Sequence, residues 1–136
     1  MKDALHILYL GRRHPLKGVE YLETAVRQIQ ESTRSTCSTR LKIISSAFGD
    51  ELEKVWDWCD VLVLPTLSEN FGLVIAEALE RGKRVITTDG APAWGDGNDY
   101  GGQLIYLKGY RDGSDEQRVE LLKSAIEKLC RAEYKG

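Results

Sequence analysis

The chain of 136 residues fits one domain, since most domains contain about 100 to 200 residues. A composition that is 42% hydrophobic and 29% charged, with only 3 prolines, excludes a disordered or collagen-like chain. The 19 Lys and Arg residues are outnumbered by 21 Asp and Glu, which gives a net charge of -2. Such a chain lacks the basic excess that a dedicated nucleic-acid-binding protein needs.

The three cysteines, Cys37, Cys59 and Cys130, are far apart, and their spacing indicates neither a zinc site nor a redox dithiol. We therefore expect a reducing compartment. The longest apolar stretches, 5–10 and 61–67, are far shorter than the ~20 residues of a membrane helix. The first residues also lack the long apolar core of a signal peptide. The expected location is the cytoplasm, with peripheral attachment to the inner face of the membrane as the alternative.

Short apolar runs alternate along the chain with longer amphipathic stretches. Runs that are apolar along their length and end at a turn predict buried strands. The predicted strands are 6–10, 41–45, 61–64, 85–88 and 103–107. Stretches with apolar residues at three- and four-residue steps predict helices. The predicted helices are 18–30, 50–60, 71–81 and 116–131, and the polar region 31–40 is expected to be a loop.

This alternation of strands and helices predicts the α/β class. We expect a Rossmann-like, doubly wound parallel sheet of about five strands, with helices on both faces. A ligand of such a sheet binds beyond the carboxyl ends of the strands. The functional loops are therefore expected after Leu10, Ser45, Pro65 and Thr88.

The loop after the first predicted strand reads GRRHPLKG, residues 11–18, and contains three cations, one histidine and no acid. Glycines at both ends permit tight turns, and the start of the next helix adds partial positive charge. The loop therefore suits an anion, and the alternative is a solvated surface turn. His14 is expected to assist a phosphate or to be a bystander rather than a catalyst. Trp94, in a later polar loop, is a weaker site candidate, as a ring that could stack on a base or a sugar.

A second motif, ENFGLVIAEAL, occupies residues 69–79 and follows the third predicted strand. Ser68 or Asn70 is a plausible helix cap, and Gly72 would let a ligand approach the backbone amides at the helix start. Glu69 precedes the helix, and its alternative role is a simple favourable contact with the helix dipole.

Glu77 lies within the same motif among apolar neighbours, so we expect it to be packed on most sides. A buried carboxylate must be paired, either with a ligand or internally, for example with Arg84. Glu69 and Glu77 would bracket the amides at the helix start. A nucleotide diphosphate sugar could satisfy all three groups, because it has hydroxyls at both ends and anionic charge between them.

The strings GRRHPLKG and DVLVLPTLSENFGLVIAEALERGKRVITTDGAPAW resemble the carboxy-terminal half of the retaining glycosyltransferase family 4, which has the two-domain GT-B architecture. The resemblance spans residues 5–130 and is best to bacterial enzymes of lipopolysaccharide or capsular polysaccharide biosynthesis. It implies a hexosyl-type glycosyltransferase (EC 2.4). Such an enzyme binds a nucleotide diphosphate sugar and passes the sugar, with retained configuration, to a glycan or lipopolysaccharide acceptor.

The resemblance also implies roles for particular residues. Arg12 and Lys17 would hold the donor diphosphate, Glu69 the sugar ring and Glu77 the ribose hydroxyls. Arg12, Lys17 and Glu69 would be the catalytic residues. The other donor-binding residues would be Gly11, Asn70, Phe71, Gly72 and Leu73. Because family members generally use no metal, we expect neither a metal nor a cofactor other than the donor.

Family members have a second Rossmann-like domain that binds the acceptor. We therefore expect residues 1–136 to form a single donor-binding domain, one half of an enzyme, which is inactive in isolation. The segment between the first helix and Asp60 is shorter than the family pattern, and the expected base-binding loop is 46–49. The alternative is a non-catalytic nucleotide-sugar-binding or assembly module with the same fold.

Overall fold

The computed structural model describes residues 4–32 and 37–133, and these form five strands and four α-helices. In chain order the elements are β1 (Leu5–Leu10), α1 (Val19–Glu31), β2 (Thr39–Ile44), α2 (Gly49–Trp58), β3 (Val61–Val63), α3 (Leu73–Glu80), β4 (Arg84–Thr88), β5 (Leu104–Leu107) and α4 (Asp115–Glu133). Short 3-10 turns occupy Pro15–Lys17, Pro92–Trp94 and Tyr100–Gly102. Each predicted strand and helix is present, although residues 33–36 of the predicted loop lie outside the described residues.

The five strands form one sheet in the order β2-β1-β3-β4-β5, and all the paired strands are parallel. This confirms the predicted α/β fold. The order is one of the two common doubly wound arrangements. The chain moves outward from β1 to β2, and then crosses back past β1 to β3. Two neighbouring strands therefore lead into helices on opposite faces, and a crevice opens between the loops that follow β1 and β3.

Two helices cover each face of the sheet. Helices α1 and α4 pack against each other, and each buries the stripe that its periodicity predicts. Those buried residues are Val19, Leu22, Ala25, Val26 and Ile29 of α1 and Val119, Leu122, Ala125, Ile126 and Leu129 of α4. Helices α2 and α3 are joined by an ion pair between Glu53 and Arg81 at 2.8 Å, and the Arg81 guanidinium lies over the buried ring of Trp56.

Helix α3 differs from its prediction at its start and in its packing. It begins at Leu73, after Gly72 in the left-handed conformation (φ 74°), and no side chain caps it, so the predicted caps Ser68 and Asn70 are wrong. A left-handed residue at this turn favours glycine, which has no Cβ to clash. The helix buries only Ile75 and Ala78. Glu77 is exposed, so the prediction that it is packed on most sides is also wrong.

A disulfide joins Cys37 to Cys130, which are separated by 93 positions in the sequence, and the third cysteine, Cys59, is buried. The spacing of the cysteines did not indicate this pair. The bond connects the segment before β2 to the end of α4. Disulfides persist mainly in oxidising compartments, so this bond does not fit the reducing compartment that we expected. Separately, no helix among the described residues is long and apolar enough to cross a bilayer.

Candidate functional site

A cavity of about 410 Å³ opens at the carboxyl edge of the sheet, between the loops that follow β1 and β3. Its location is the one that the strand order favours for a ligand. The structure brings most of the predicted donor-binding residues together around it. The predicted residues that line it are Gly11, Arg12, Lys17, Glu69, Phe71, Gly72 and Leu73.

Two predicted site residues, Asn70 and Glu77, do not line this cavity. Glu77 follows Leu73 by four positions, so the two side chains share one face of α3 and are separated by about 6 Å along its axis. Leu73 lines the cavity and is 69% exposed. Glu77 is exposed and lies one helical turn beyond Leu73, outside the lining of the cavity.

An ion pair between Lys17 and Glu69 connects the two loops across the cavity. The Lys17 Nζ lies 2.6 Å from the Glu69 Oε2, and also donates to the carbonyl of Ser68 at 3.4 Å. The side chains are only 18% and 21% exposed. Two groups separated by 52 positions in the sequence thus neutralise each other at the edge of the sheet.

The other two cations of the first loop differ in what surrounds them. Arg13 points away from the cavity and pairs with Glu23 at 2.7 Å, and this hydrogen-bonded carboxylate raises the pKa of the Arg13 guanidinium. Arg12 lines the cavity, is exposed, and forms no ion pair with any residue in 4–32 or 37–133. Arg12 is therefore the cation that an incoming anion can reach without displacing an acid.

His14 has a structural role in the same loop. Its Nδ1 accepts a hydrogen bond from the backbone amide of Leu16 at 3.1 Å and caps the short turn Pro15–Lys17. The turn directs Lys17 toward the cavity. Arg12 also lines the cavity, whereas His14 does not. The expectation that His14 assists a phosphate or is a bystander stays a prediction.

Tyr9 is a cavity residue that the sequence analysis missed. Its ring is buried at the end of β1, and its hydroxyl donates to the backbone carbonyl of Arg12 at 2.8 Å. Burial, with a smaller contribution from the charge of Glu69, raises the pKa of Tyr9 to about 12. The hydroxyl therefore stays protonated at neutral pH and holds the Arg12 backbone in place. A polar ring near the carboxyl end of a mainly aliphatic strand was the available sequence signal.

The loops after β1 and β3 are in close backbone contact. A Cβ atom on Gly18 would lie 1.9 Å from the carbonyl oxygen of Pro65, so no larger residue fits without a shift. The Leu67 amide donates to the Leu16 carbonyl at 2.7 Å, and the Tyr110 hydroxyl donates to the Pro65 carbonyl at 2.7 Å. These contacts fix the width of the cavity before any ligand binds.

The loop before α3 is held from its other side by the segment that follows β4. The Glu69 amide donates to the Gly90 carbonyl at 2.9 Å, and the Trp94 Nε1 donates to the Phe71 carbonyl at 2.7 Å. A Cβ atom on Gly72 would come within 3.2 Å of the same indole nitrogen. Trp94 therefore positions the loop, which differs from the ligand-stacking role considered for it.

The assembled site is suited to an anion that carries hydroxyl groups. Arg12 supplies an unpaired cation, the N-terminus of α3 supplies partial positive charge, and Glu69 and Glu77 are hydrogen-bond acceptors. In the described part of the chain, no group of three or more His, Cys, Asp or Glu side chains could hold a metal ion. The expected base-binding loop, 46–49, exposes Phe48 (81%), whose ring is available for contact.

Residues 34–108 match the family model of the Glycosyl transferases group 1. Because this match covers more than half of the chain, the chain belongs to that family. The fold and site define a Rossmann-like domain with a cavity at its carboxyl edge that Arg12 and Lys17 line, and the family match makes this a glycosyltransferase domain.

Particular relatives agree with this assignment. An uncharacterized glycosyltransferase of Methanocaldococcus jannaschii is 30% identical in an alignment 107 residues long. The match covers 63% of this chain and 27% of that protein. Among solved structures, WaaG, a glycosyltransferase involved in lipopolysaccharide biosynthesis, has a TM-score of 0.69 at 20% identity, covering 93% of this chain and 39% of its own. The C-terminal domain of LpcC, a group 1 family protein from Francisella tularensis, has a TM-score of 0.53 at 20% identity, covering 96% and 86%. At 20% identity the two solved structures show the shared fold alone. The chain spans about a quarter of the length of the Methanocaldococcus protein.

Proposed function

We propose that the chain is the donor-binding domain of a retaining family 4 glycosyltransferase with the GT-B architecture. The observation that carries the proposal is that Arg12, Lys17 and Glu69 meet in one cavity at the topological switch point of the sheet. Two cations and a helix N-terminus suit a diphosphate, and carboxylates suit the hydroxyls of the sugars attached to it. A nucleotide diphosphate sugar combines these chemical features.

Within this proposal, Arg12 and Lys17 stabilise the negative charge that develops on the diphosphate as the bond from its oxygen to the sugar breaks. Glu69 orients the sugar through its hydroxyls. Glu77, on the exposed face of α3, accepts hydrogen bonds from the ribose, and its exposure leaves the carboxylate open to such a ligand. The sugar then forms a bond to an acceptor hydroxyl, whose proton is released.

The acceptor is proposed to bind to a separate domain, and a glycan or lipopolysaccharide is the proposed acceptor class. Two comparisons support this view. The chain covers 39% of WaaG, a glycosyltransferase involved in lipopolysaccharide biosynthesis, and 86% of the C-terminal domain of LpcC, a group 1 family protein. Donor binding that persists without transfer, whichever acceptor domain is supplied, would favour the alternative of a non-catalytic binding module.

The test is calorimetry with uridine, guanosine and adenosine diphosphates and their hexose conjugates. A nucleotide sugar at 100 times its dissociation constant should raise the free energy of unfolding by ~2.7 kcal/mol. Arg12→Ala should weaken binding about tenfold, because a charge-assisted hydrogen bond to phosphate is lost. Arg13→Ala is the matched control and should leave affinity unchanged, since Arg13 lies outside the cavity. Absence of binding across the whole panel, or equal losses in the two variants, would refute the proposal.

A further inference from the structure

The two side chains that are proposed to bind opposite parts of the donor are paired with each other in the structure. The Lys17 ammonium, assigned to the diphosphate, contacts the Glu69 carboxylate, assigned to the sugar, at 2.6 Å. Lys17 is also the sole side-chain donor to that carboxylate among the residues that the structure describes. Any ligand that uses Lys17 must therefore change the surroundings of Glu69.

Removing Lys17 from this pair has a cost that depends on burial. The Glu69 side chain is only 21% exposed, so water can replace the ammonium only in part. A largely buried carboxylate that loses its charged partner is strongly disfavoured. A diphosphate that recruits Lys17 and offers nothing to Glu69 leaves the carboxylate in that state.

A sugar on the diphosphate removes this penalty. Its hydroxyl groups donate hydrogen bonds, and such bonds to a carboxylate are among the stronger ones in proteins. Resting on the proposed function, we infer that Glu69 is an internal competitor for Lys17, and that this competition makes the site prefer a nucleotide sugar over the nucleoside diphosphate that remains after transfer. When the sugar has left, Glu69 can recover Lys17, which favours release of the nucleoside diphosphate.

Arg12 does not take part in this competition. It lines the same cavity and forms no ion pair with the described residues, so it contributes similarly to both ligands. Loss of Arg12 should lower the affinity for both ligands. A change at Glu69 should raise the affinity for one ligand and lower it for the other. The two residues therefore separate anion binding as such from discrimination between substrate and product.

The experiment is to measure, by calorimetry, the affinity of the nucleoside diphosphate and of its hexose conjugate for Glu69→Gln. Lys17 is then held by a neutral amide, so the nucleoside diphosphate should bind about fivefold more tightly. The gain stays this small because the attraction within a largely buried ion pair is mostly offset by the cost of desolvating its two charges. The nucleotide sugar should bind about fivefold more weakly, because a charge-assisted hydrogen bond becomes a neutral one. Should Glu69→Gln fail to fold, Glu69→Asp keeps the charge but withdraws it from Lys17, and should change both affinities in the same directions by a smaller factor.

Two controls separate this mechanism from a general change in charge. Glu23→Gln removes the same charge from the neighbouring pair with Arg13, outside the cavity, and should leave both affinities unchanged. In a Lys17→Met background, Glu69→Gln should no longer tighten binding of the nucleoside diphosphate. Equal tightening in Glu23→Gln, tightening that survives in the Lys17→Met background, or weaker binding of both ligands to Glu69→Gln would overturn the inference. If the unmodified protein binds neither ligand, the proposed function itself fails.

Discussion

The two edges of the sheet are built from different kinds of contact. At the amino edge, side chains cover one another: the His6 ring stacks on Trp58 with centroids 4.5 Å apart, and Lys42 lies over Trp58 at 4.4 Å. The disulfide between Cys37 and Cys130 closes this end covalently.

At the carboxyl edge, by contrast, loops are held by hydrogen bonds to their backbone carbonyls, and large apolar side chains stay exposed. Phe48, Phe71 and Leu73 are 81%, 59% and 69% exposed and all lie in or beside the loops at this edge. Holding the backbone fixed while leaving side chains uncovered produces a preformed but open site. Covalent and side-chain cover is thus concentrated at one edge of the sheet, and the open cavity lies at the other.

The largest expected effect concerns the amino edge. Cys130→Ser opens a loop closed over a separation of 93 residues, and should lower the free energy of unfolding by about 4 kcal/mol. Denaturant unfolding measures this change, and a reductant should destabilise the unmodified protein similarly without affecting the variant. Nucleotide-sugar affinity below the unfolding transition should not change. A loss of affinity in the folded variant would show that the two edges are not independent.

Substitution of Gly18 should lower stability less than loss of the disulfide does, but should have a large effect on donor binding. Gly18→Ala places a Cβ where the Pro65 carbonyl lies, so the loops after β1 and β3 must separate. We expect a loss of about 3 kcal/mol in the free energy of unfolding and no detectable donor binding. Gly82→Ala is the control, because Gly82 is also left-handed (φ 74°) but has open space around it. It should cost about 1 kcal/mol and leave binding intact. Similar behaviour in the two variants would contradict the role of the close contact.

Much of the fold follows from local sequence patterns. The apolar stripes of α1 and α4 recur at helical spacing, so their buried residues could be predicted individually. Parallel strands also place their carboxyl ends at one edge, which was enough to predict that the loops containing Arg12, Lys17 and Glu69 would meet. These predictions use information within one element or within the general geometry of the fold.

Other features depend on distances between elements that no local pattern contains. The apolar neighbours of Glu77 indicated burial, but α3 packs only one side on the sheet and leaves Glu77 exposed. The disulfide partners and the Lys17–Glu69 pair are each far apart in sequence, and their pairing depends on the packed arrangement of the loops. Trp94 was considered for its ring, whereas its indole N–H holds a backbone carbonyl of another loop.

The most direct test of the central claim is to map amide chemical shifts of the labelled protein during titration with a nucleotide sugar that binds. We predict chemical-shift changes at the amides of residues 11–18 and 69–77, and none at the amides near Cys37, Trp58 and Cys130. Changes centred on the amino edge, with the two carboxyl-edge loops unaffected at saturation, would contradict it.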